Sequence, residues 1–191
     1  RLMLNDRLAG WALGLPRWFC IGRFEQTYNA VGDEMKKSGL KRTLLCIAIP
    51  LAVGGLSALL TKDSMIMFEY IDKPPLSPPA WLFPVVWTAL YILMGLASCR
   101  VLNSNAPKRE IKSGLLFYAV QLVFNFFWSL IFFNAEMFLF ALIWLIILWV
   151  LIIITTVKFF RIDRRAGWLM LPYLLWVTFA AYLNYGIYIL N

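Results

Sequence analysis

Three sets of residues in this chain recur at spacings of three and four. Trp87, Tyr91 and Met94 form the first, Gln121, Asn125 and Trp128 the second, and Tyr173, Trp176, Ala180 and Asn184 the third. On helices, each set shares one face. Flat rings mixed with small residues and a few amides make the lining of a pocket for a flat, largely apolar ligand, held by stacking and edge contacts. Taken singly, Gln121, Asn125 and Asn184 also read as glue between helices, each worth about 1 kcal/mol. The chain has no His, which removes the commonest general base and metal ligand and any Ser–His triad. Cys20, Cys46 and Cys99 are far apart, with no CxxC or metal-ligand spacing; Cys46 and Cys99 read as buried thiols in helices. No acid–base or nucleophile–base pair stands among the apolar stretches, so no catalytic residue and no metal site is assigned.

The elements that must position these sets are membrane helices. Of 191 residues, 62% are hydrophobic and only 15% charged, against about 45–50% and 25% in soluble domains. A water-soluble domain of this size cannot hide that much apolar surface. A soluble enzyme and a disordered chain are both excluded, and an integral membrane protein is expected. Five windows reach the roughly 20 apolar residues that a bilayer crossing needs: 43–60, 81–98, 114–133, 138–157 and 167–190. None contains Asp, Glu, Lys or Arg, each of which costs roughly 3 kcal/mol or more at mid-membrane. The runs are continuous rather than alternating, which argues against barrel strands. The fold class is therefore an all-α integral membrane protein, a five transmembrane helix bundle. Pro50 and the Gly54-Gly55 pair predict a bend or a close helix approach in the first span. The fourth span is almost wholly Leu, Ile, Phe and Trp, suited to lipid contact or packing.

The net charge of +8 is read as membrane orientation rather than nucleic-acid binding. Four basic residues precede the first span (Lys36, Lys37, Lys41, Arg42). Four lie between the second and third (Arg100, Lys108, Arg109, Lys112), and four between the fourth and fifth (Lys158, Arg161, Arg164, Arg165). The other two loops hold only Lys62 and Lys73. Twelve against two places the start of span one, the second loop and the fourth loop in the cytoplasm, with the C-terminus outside. Residues 1–34 are mixed in composition, and their longest apolar run, Trp11 to Leu15, neither spans nor resembles a secretory signal. They are expected to be an N-terminal extension outside the fold, with Met35-Lys36-Lys37-Ser38 resembling a natural bacterial start; an interfacial segment is the alternative. The transmembrane domain is then 35–191.

The loop from about Thr61 to Ala80 is proline-rich: Pro74, Pro75, Pro78 and Pro79 fall within six residues. Prolines freeze φ and remove donors, so the segment is expected to be stiff and extended. A rigid spacer or a ligand for a proline-binding module is one reading. A stiff cap over the bundle, running into span two at Trp81, is the preferred one, because a rigid lid loses little entropy when a ligand binds beneath it. Trp81 and Trp168, at span ends, read as interface anchors.

Pro74-Pro75-Leu76-Ser77-Pro78-Pro79-Ala80-Trp81, then Phe83-Pro84-Val85-Val86-Trp87-Thr88-Ala89-Leu90-Tyr91 and Met94-Gly95, resemble the signature of the translocator protein family. Its bacterial members are called tryptophan-rich sensory proteins, and it includes the peripheral benzodiazepine receptor. Gln121-Leu122 with Asn125, Trp128 and Phe132-Phe133 is similar to the family's third helix. Leu171-Pro172-Tyr173-Leu174-Leu175-Trp176, Phe179-Ala180 and Leu183-Asn184-Tyr185 are similar to its fifth. The resemblance covers about Met35 to Asn191.

The resemblance implies a five-helix membrane protein that binds porphyrins, notably protoporphyrin IX and haem, and synthetic isoquinoline carboxamide and benzodiazepine drugs. It places the ligand among the helices beneath the first loop, in a bacterial cell membrane. By position, the pocket tryptophans are Trp87 and Trp176, the third-helix amide is Asn125 with Trp128 beside it, and Ala180 is a small position that affects ligand fit. Tyr91, Phe68 and Pro78 fall at further lining positions. No cofactor is required; protoporphyrin IX or haem is the ligand, held by stacking, with Tyr or Met the remaining candidates for iron. Two features depart from the family: Leu76 stands where many members have Trp, and no Lys or Arg follows Tyr185 or Tyr188. The second departure weakens the case for cholesterol binding. A homodimer is expected, with Gly54 and Ala58 the clearest small-residue face and no interface assigned. The alternatives to a membrane receptor or sensor are light-dependent porphyrin breakdown and a tetrapyrrole transporter. Uncharged cores and an odd number of spans argue against the transporter.

Overall fold

A computed structural model describes residues 17–64 and 67–191, with side chains from Gly39 onward apart from those of residues 65–67 and 69. Its helices are α1 (Arg17–Thr61), the four-residue α2 (Met67–Tyr70), α3 (Leu82–Leu102), α4 (Lys108–Ser129), α5 (Phe138–Ile162) and α6 (Arg164–Leu190). A π-helical turn, Leu130–Asn134, extends α4. Five stretches are long and apolar enough to cross a membrane: Gly39–Thr61, Leu82–Leu102, Lys108–Asn134, Phe138–Ile162 and Arg164–Leu190. The chain divides into two units, Arg1–Arg42 and Thr43–Asn191. In the first, the described residues are helical from Arg17; the expected extension over 1–34 and the Cys20 thiol lie outside the residues described in side-chain detail. The second unit is the helix bundle.

The five predicted windows coincide with these helices, but every helix runs further than its apolar window. α3 continues to Leu102, α5 to Ile162, and α6 starts at Arg164. Arg100, Lys158 and Arg161 therefore sit on helix ends rather than in loops. The backbone hydrogen-bond ladder continues past the hydrocarbon, and long basic side chains reach water from within it. The start of α6 is fixed by Asp163, whose carboxylate accepts from the Ala166 N–H at 2.9 Å as an N-cap. α1 is helical straight through Pro50.

Within the bundle, α5 packs one face on α4 and α6 through Ala141, Leu145, Leu148, Ile152 and Phe159. Its opposite face leaves Ile143, Ile146, Ile147 and Val150 exposed, as expected of a helix bordering lipid. α6 also packs on α3. α1 exposes Leu44, Leu45, Ile49, Leu56, Leu59 and Leu60 and buries a narrow stripe that includes Pro50, Gly54, Ser57 and Thr61. Two glycines allow its approach to α3. A Cβ on Gly95 would come within 2.5 Å of Ile47 Cα, and one on Gly54 would strike the Tyr91 ring. Gly54 is thus used inside the bundle while Ala58 faces out, so the two do not form one outward small-residue face. Cys99 is buried, but Cys46 is only half-buried.

The proline loop is not extended throughout. Pro74 is buried, and the Ser77 N–H and hydroxyl both donate to Pro74 O, at 3.3 and 2.8 Å. This closes a turn that carries Leu76 to φ 69° with its side chain 81% exposed. Four prolines forbid a regular helix or strand but permit turns between them. The loop is fastened to α6 at three points. Pro74 packs where Gly186 has no Cβ, the Tyr182 hydroxyl donates to Pro75 O at 2.9 Å, and Asn191 exchanges hydrogen bonds with the Asp72 backbone at 3.1 and 3.0 Å.

Candidate ligand-binding site

The three sequence stripes meet where α3, α4 and α6 converge. Lipid offers no hydrogen bonds, so amides and phenols placed there must satisfy one another. The Tyr91 hydroxyl donates to Asn125 Oδ1 at 2.8 Å. Asn125 Nδ2 donates to the Tyr173 hydroxyl at 3.0 Å, which donates to Gln121 Oε1 at 2.8 Å. Gln121 Nε2 then points at Met94 Sδ, 3.9 Å away. Tyr173 and Gln121 are 0% exposed and Asn125 1%. Met94 sets the direction of this relay, since a thioether has no proton to give and offers only a weak acceptor. The Gln121 NH₂ must face it, its oxygen must take the Tyr173 proton, and Asn125 must turn its NH₂ to Tyr173 and its oxygen to Tyr91.

Aromatic rings surround the relay. Trp87 stacks on Tyr91 with centroids 5.6 Å apart and lies 6.2 Å from Tyr173 and 6.5 Å from Trp128. Trp128 stacks on Phe132 at 5.4 Å, and its indole N–H donates to Asn184 Oδ1 at 3.4 Å. Asn184 in turn donates to Phe138 O at 2.9 Å, so a second amide ties α4, α5 and α6. The π-helical turn matters here: its Ala135 N–H reaches back to Leu130 O at 3.1 Å, and within it both Phe132 and Phe133 are buried.

Towards the first loop, a cavity of about 20 Å³ is lined by Phe68, Phe83, Trp128, Phe133, Ala180 and Asn184, among others. Phe68, on α2, closes it, with ring centroids 5.2 Å from Phe83 and 6.4 Å from Phe133. Lys73 Nζ lies 5.0 Å above the Phe68 ring. The space suffices for about one water molecule, so the slot is filled by its own side chains.

The structure thus brings Trp87, Tyr91, Asn125 and Trp128 into one cluster and places Phe68 and Ala180 in the cavity wall beside Trp128. Trp176 stands apart. It is half-buried on the flank of α6, edge-on to Phe83 at 6.1 Å and 5.7 Å from Phe179. Residues 173, 177, 180 and 184 make the buried stripe of α6, and 176 falls to its side. Pro78 is half-buried in the loop and does not line the cavity. Sequence reasoning noted Tyr173 and Gln121 on the right faces but did not single them out as the centre of the relay. It did not find Phe83, Leu183 or Ile187 as lining; the i, i+3, i+7 series 180, 183, 187 was the available signal.

These features define a polytopic helical membrane protein with an aromatic and amide slot between three of its spans. Residues 46–190 match the TspO/MBR family, and the chain belongs to it. It is 41% identical to the tryptophan-rich protein TspO of Chlorobaculum tepidum over 77% of its own length and 94% of that protein's. It is 40% identical to the tryptophan-rich sensory protein of Cereibacter sphaeroides, over 70% and 81% of the two chains. The translocator protein of Bos taurus is 30% identical, over 72% and 82%.

Proposed function

We propose that this protein is a membrane receptor or sensor that binds porphyrins, protoporphyrin IX or haem, and similar flat hydrophobic molecules between α3, α4 and α6 beneath the first loop. The observation that carries the reading is the ring cluster Trp87–Tyr91–Trp128–Tyr173 set on a fully buried amide relay. Stacking faces are presented to a flat guest, while every polar atom of the relay is already engaged and unavailable for charge chemistry. Sites for drug-sized ligands run to roughly 300–1,000 Å³, so a macrocycle enters only by parting Phe68, Phe83 and Phe133 and lifting the loop above them. The protein sits in a bacterial cell membrane with the basic ends of α3–α6 in the cytoplasm, and it works as a homodimer. The test is a protoporphyrin IX titration followed by tryptophan quenching and by the porphyrin's own absorbance. Trp87→Phe with Trp176→Phe is expected to weaken binding about tenfold, the stacking worth of two indoles; unchanged affinity overturns the assignment.

One observation favours a second reading, photochemical porphyrin breakdown. Trp128, Trp87 and Tyr91 form a series of oxidisable rings with successive centroids 6.5 and 5.6 Å apart, able to pass an electron to an excited macrocycle. Illuminating the complex and following new absorbing products, with and without Trp128→Phe and Trp176→Phe, separates it from passive binding.

A further inference from the structure

The end of the bundle opposite the proline loop carries a second concavity that the slot does not use. Between the first turns of α4 and the last turn of α5 lies a groove of about 430 Å³, lined by Arg109, Glu110, Ser113, Lys158, Arg161 and Ile162. Three cations face one carboxylate. Lys158 is tied down: its ammonium donates to Ser113 Oγ at 2.9 Å and sits 5.0 Å from the centroid of the Phe117 ring. Donation into Ser113 Oγ leaves the hydroxyl proton of Ser113 for an acceptor in the groove. Arg109 and Arg161 are exposed and make no ion pair among the described residues. Two free guanidinium groups, a positioned ammonium and a hydroxyl are the donor set for a phosphate.

We infer that this groove holds the phosphodiester headgroup of an anionic phospholipid from the leaflet at this end of the bundle. A lipid is favoured over a free phosphate because the donors stand at the upper edge of an apolar wall. One turn below Ser113 is Leu116, and one turn below Arg161 is Val157, 60% and 43% exposed; acyl chains descending from a phosphate in the groove lie along them. Ile162 gives the groove an apolar floor, and the absence of a side chain on Gly114 brings α4 against Phe159 and Ile162 beside it. With three cations against Glu110, the groove's lining keeps an excess of positive charge for the headgroup. The site is independent of the porphyrin reading.

The experiment uses the full chain in phosphatidylcholine nanodiscs with graded phosphatidylglycerol, read by thermal unfolding and by lipid retention in native mass spectrometry. Phosphatidylglycerol is expected to raise the unfolding midpoint and to be retained preferentially, and added salt to weaken the effect. Arg109→Gln with Arg161→Gln, both on exposed side chains, is expected to lower the affinity at least tenfold, while its midpoint in pure phosphatidylcholine stays at the wild-type value. Arg164→Gln with Arg165→Gln, the same charge loss at the start of α6 and outside the groove, is expected to keep it. If the double variant does not incorporate, Arg161→Gln alone, on an exposed side chain, is read the same way. Equal retention of phosphatidylcholine, an unaffected groove variant, or an equal loss in the α6 control overturns the proposal. A shift of the same size from inorganic phosphate alone overturns the lipid assignment.

Discussion

Asn125 holds two phenols at once, accepting from the Tyr91 hydroxyl and donating to the Tyr173 hydroxyl, which passes its own proton on to Gln121 Oε1. Asn125→Leu preserves volume but strands the Tyr91 proton and removes the donor to Tyr173. Buried unsatisfied groups cost about 1–3 kcal/mol, and exchange of partners within a membrane trims this. The expected result is a fall of that order in thermal stability in detergent. Tyr91→Phe, which removes only the end of the relay, is expected to cost less, about 1 kcal/mol. Equal effects would show that the relay does not act as a unit. At this scale, much of the site was legible. Spacings of three and four put Gln121, Asn125 and Trp128 on one face, and lipid forced that face inward. The pairing was not legible, because which amide meets which phenol depends on the rotation of α4 against α6. Trp176 shows the same limit: one position off the buried stripe of α6 takes it to the flank, beside Phe83.

Elements in this molecule are positioned by their ends and by places where side chains are missing. Asp163 caps α6 and takes two hydrogen bonds from the Arg100 guanidinium, at 3.2 and 2.8 Å. Arg100 holds the Asp163 carboxyl below the usual carboxylate range; partial burial opposes this, and the Ala166 N–H adds to it. A lowered pKa means that its stabilisation is fully present above the ordinary value near 4 and is lost as the pH falls through the lowered one. The stability difference between wild type and Asp163→Asn, which keeps an acceptor for the cap but not the charge, is therefore expected to be constant above about pH 5 and to shrink on acidification below 4. Circular dichroism melts across pH 2–7 check this; a difference independent of pH would refute it. At the other end, Gly186→Leu drives a side chain into Pro74. It is expected to loosen the first loop, seen as faster proteolysis between 71 and 80, and to cost about 1–3 kcal/mol. Helix existence was legible from apolar length alone. Helix ends were not, because hydrogen bonding carries a helix past its greasy core. The π-helical turn left no local mark, since Leu130-Ile131-Phe132-Phe133 reads as ordinary apolar helix.

For the whole molecule, charge and hydropathy are separate signals that agree. Arg100, Lys108, Arg109, Lys112, Lys158, Arg161, Arg164 and Arg165 gather where α3 and α5 end and α4 and α6 begin, whereas the proline loop at the other end carries only Lys62 and Lys73. An impermeant thiol reagent applied to intact bacterial cells is therefore expected to label Leu76→Cys and to spare Asn105→Cys; the reverse pattern would invert the molecule. Span number was legible because the length and apolarity of a crossing are written in composition. The fastening of the first loop to α6 was not, since it joins Asp72 to Asn191 across 119 positions. The near-solid slot has a mechanical corollary. Where the rings leave only about 20 Å³ between them, any guest of useful size displaces protein rather than solvent, so occupancy is written directly into the distance between the third-from-last and the last helices. A spin-label pair across that gap would then act as a ruler for binding, and a downstream partner touching either helix would feel the arrival of a ligand as a push.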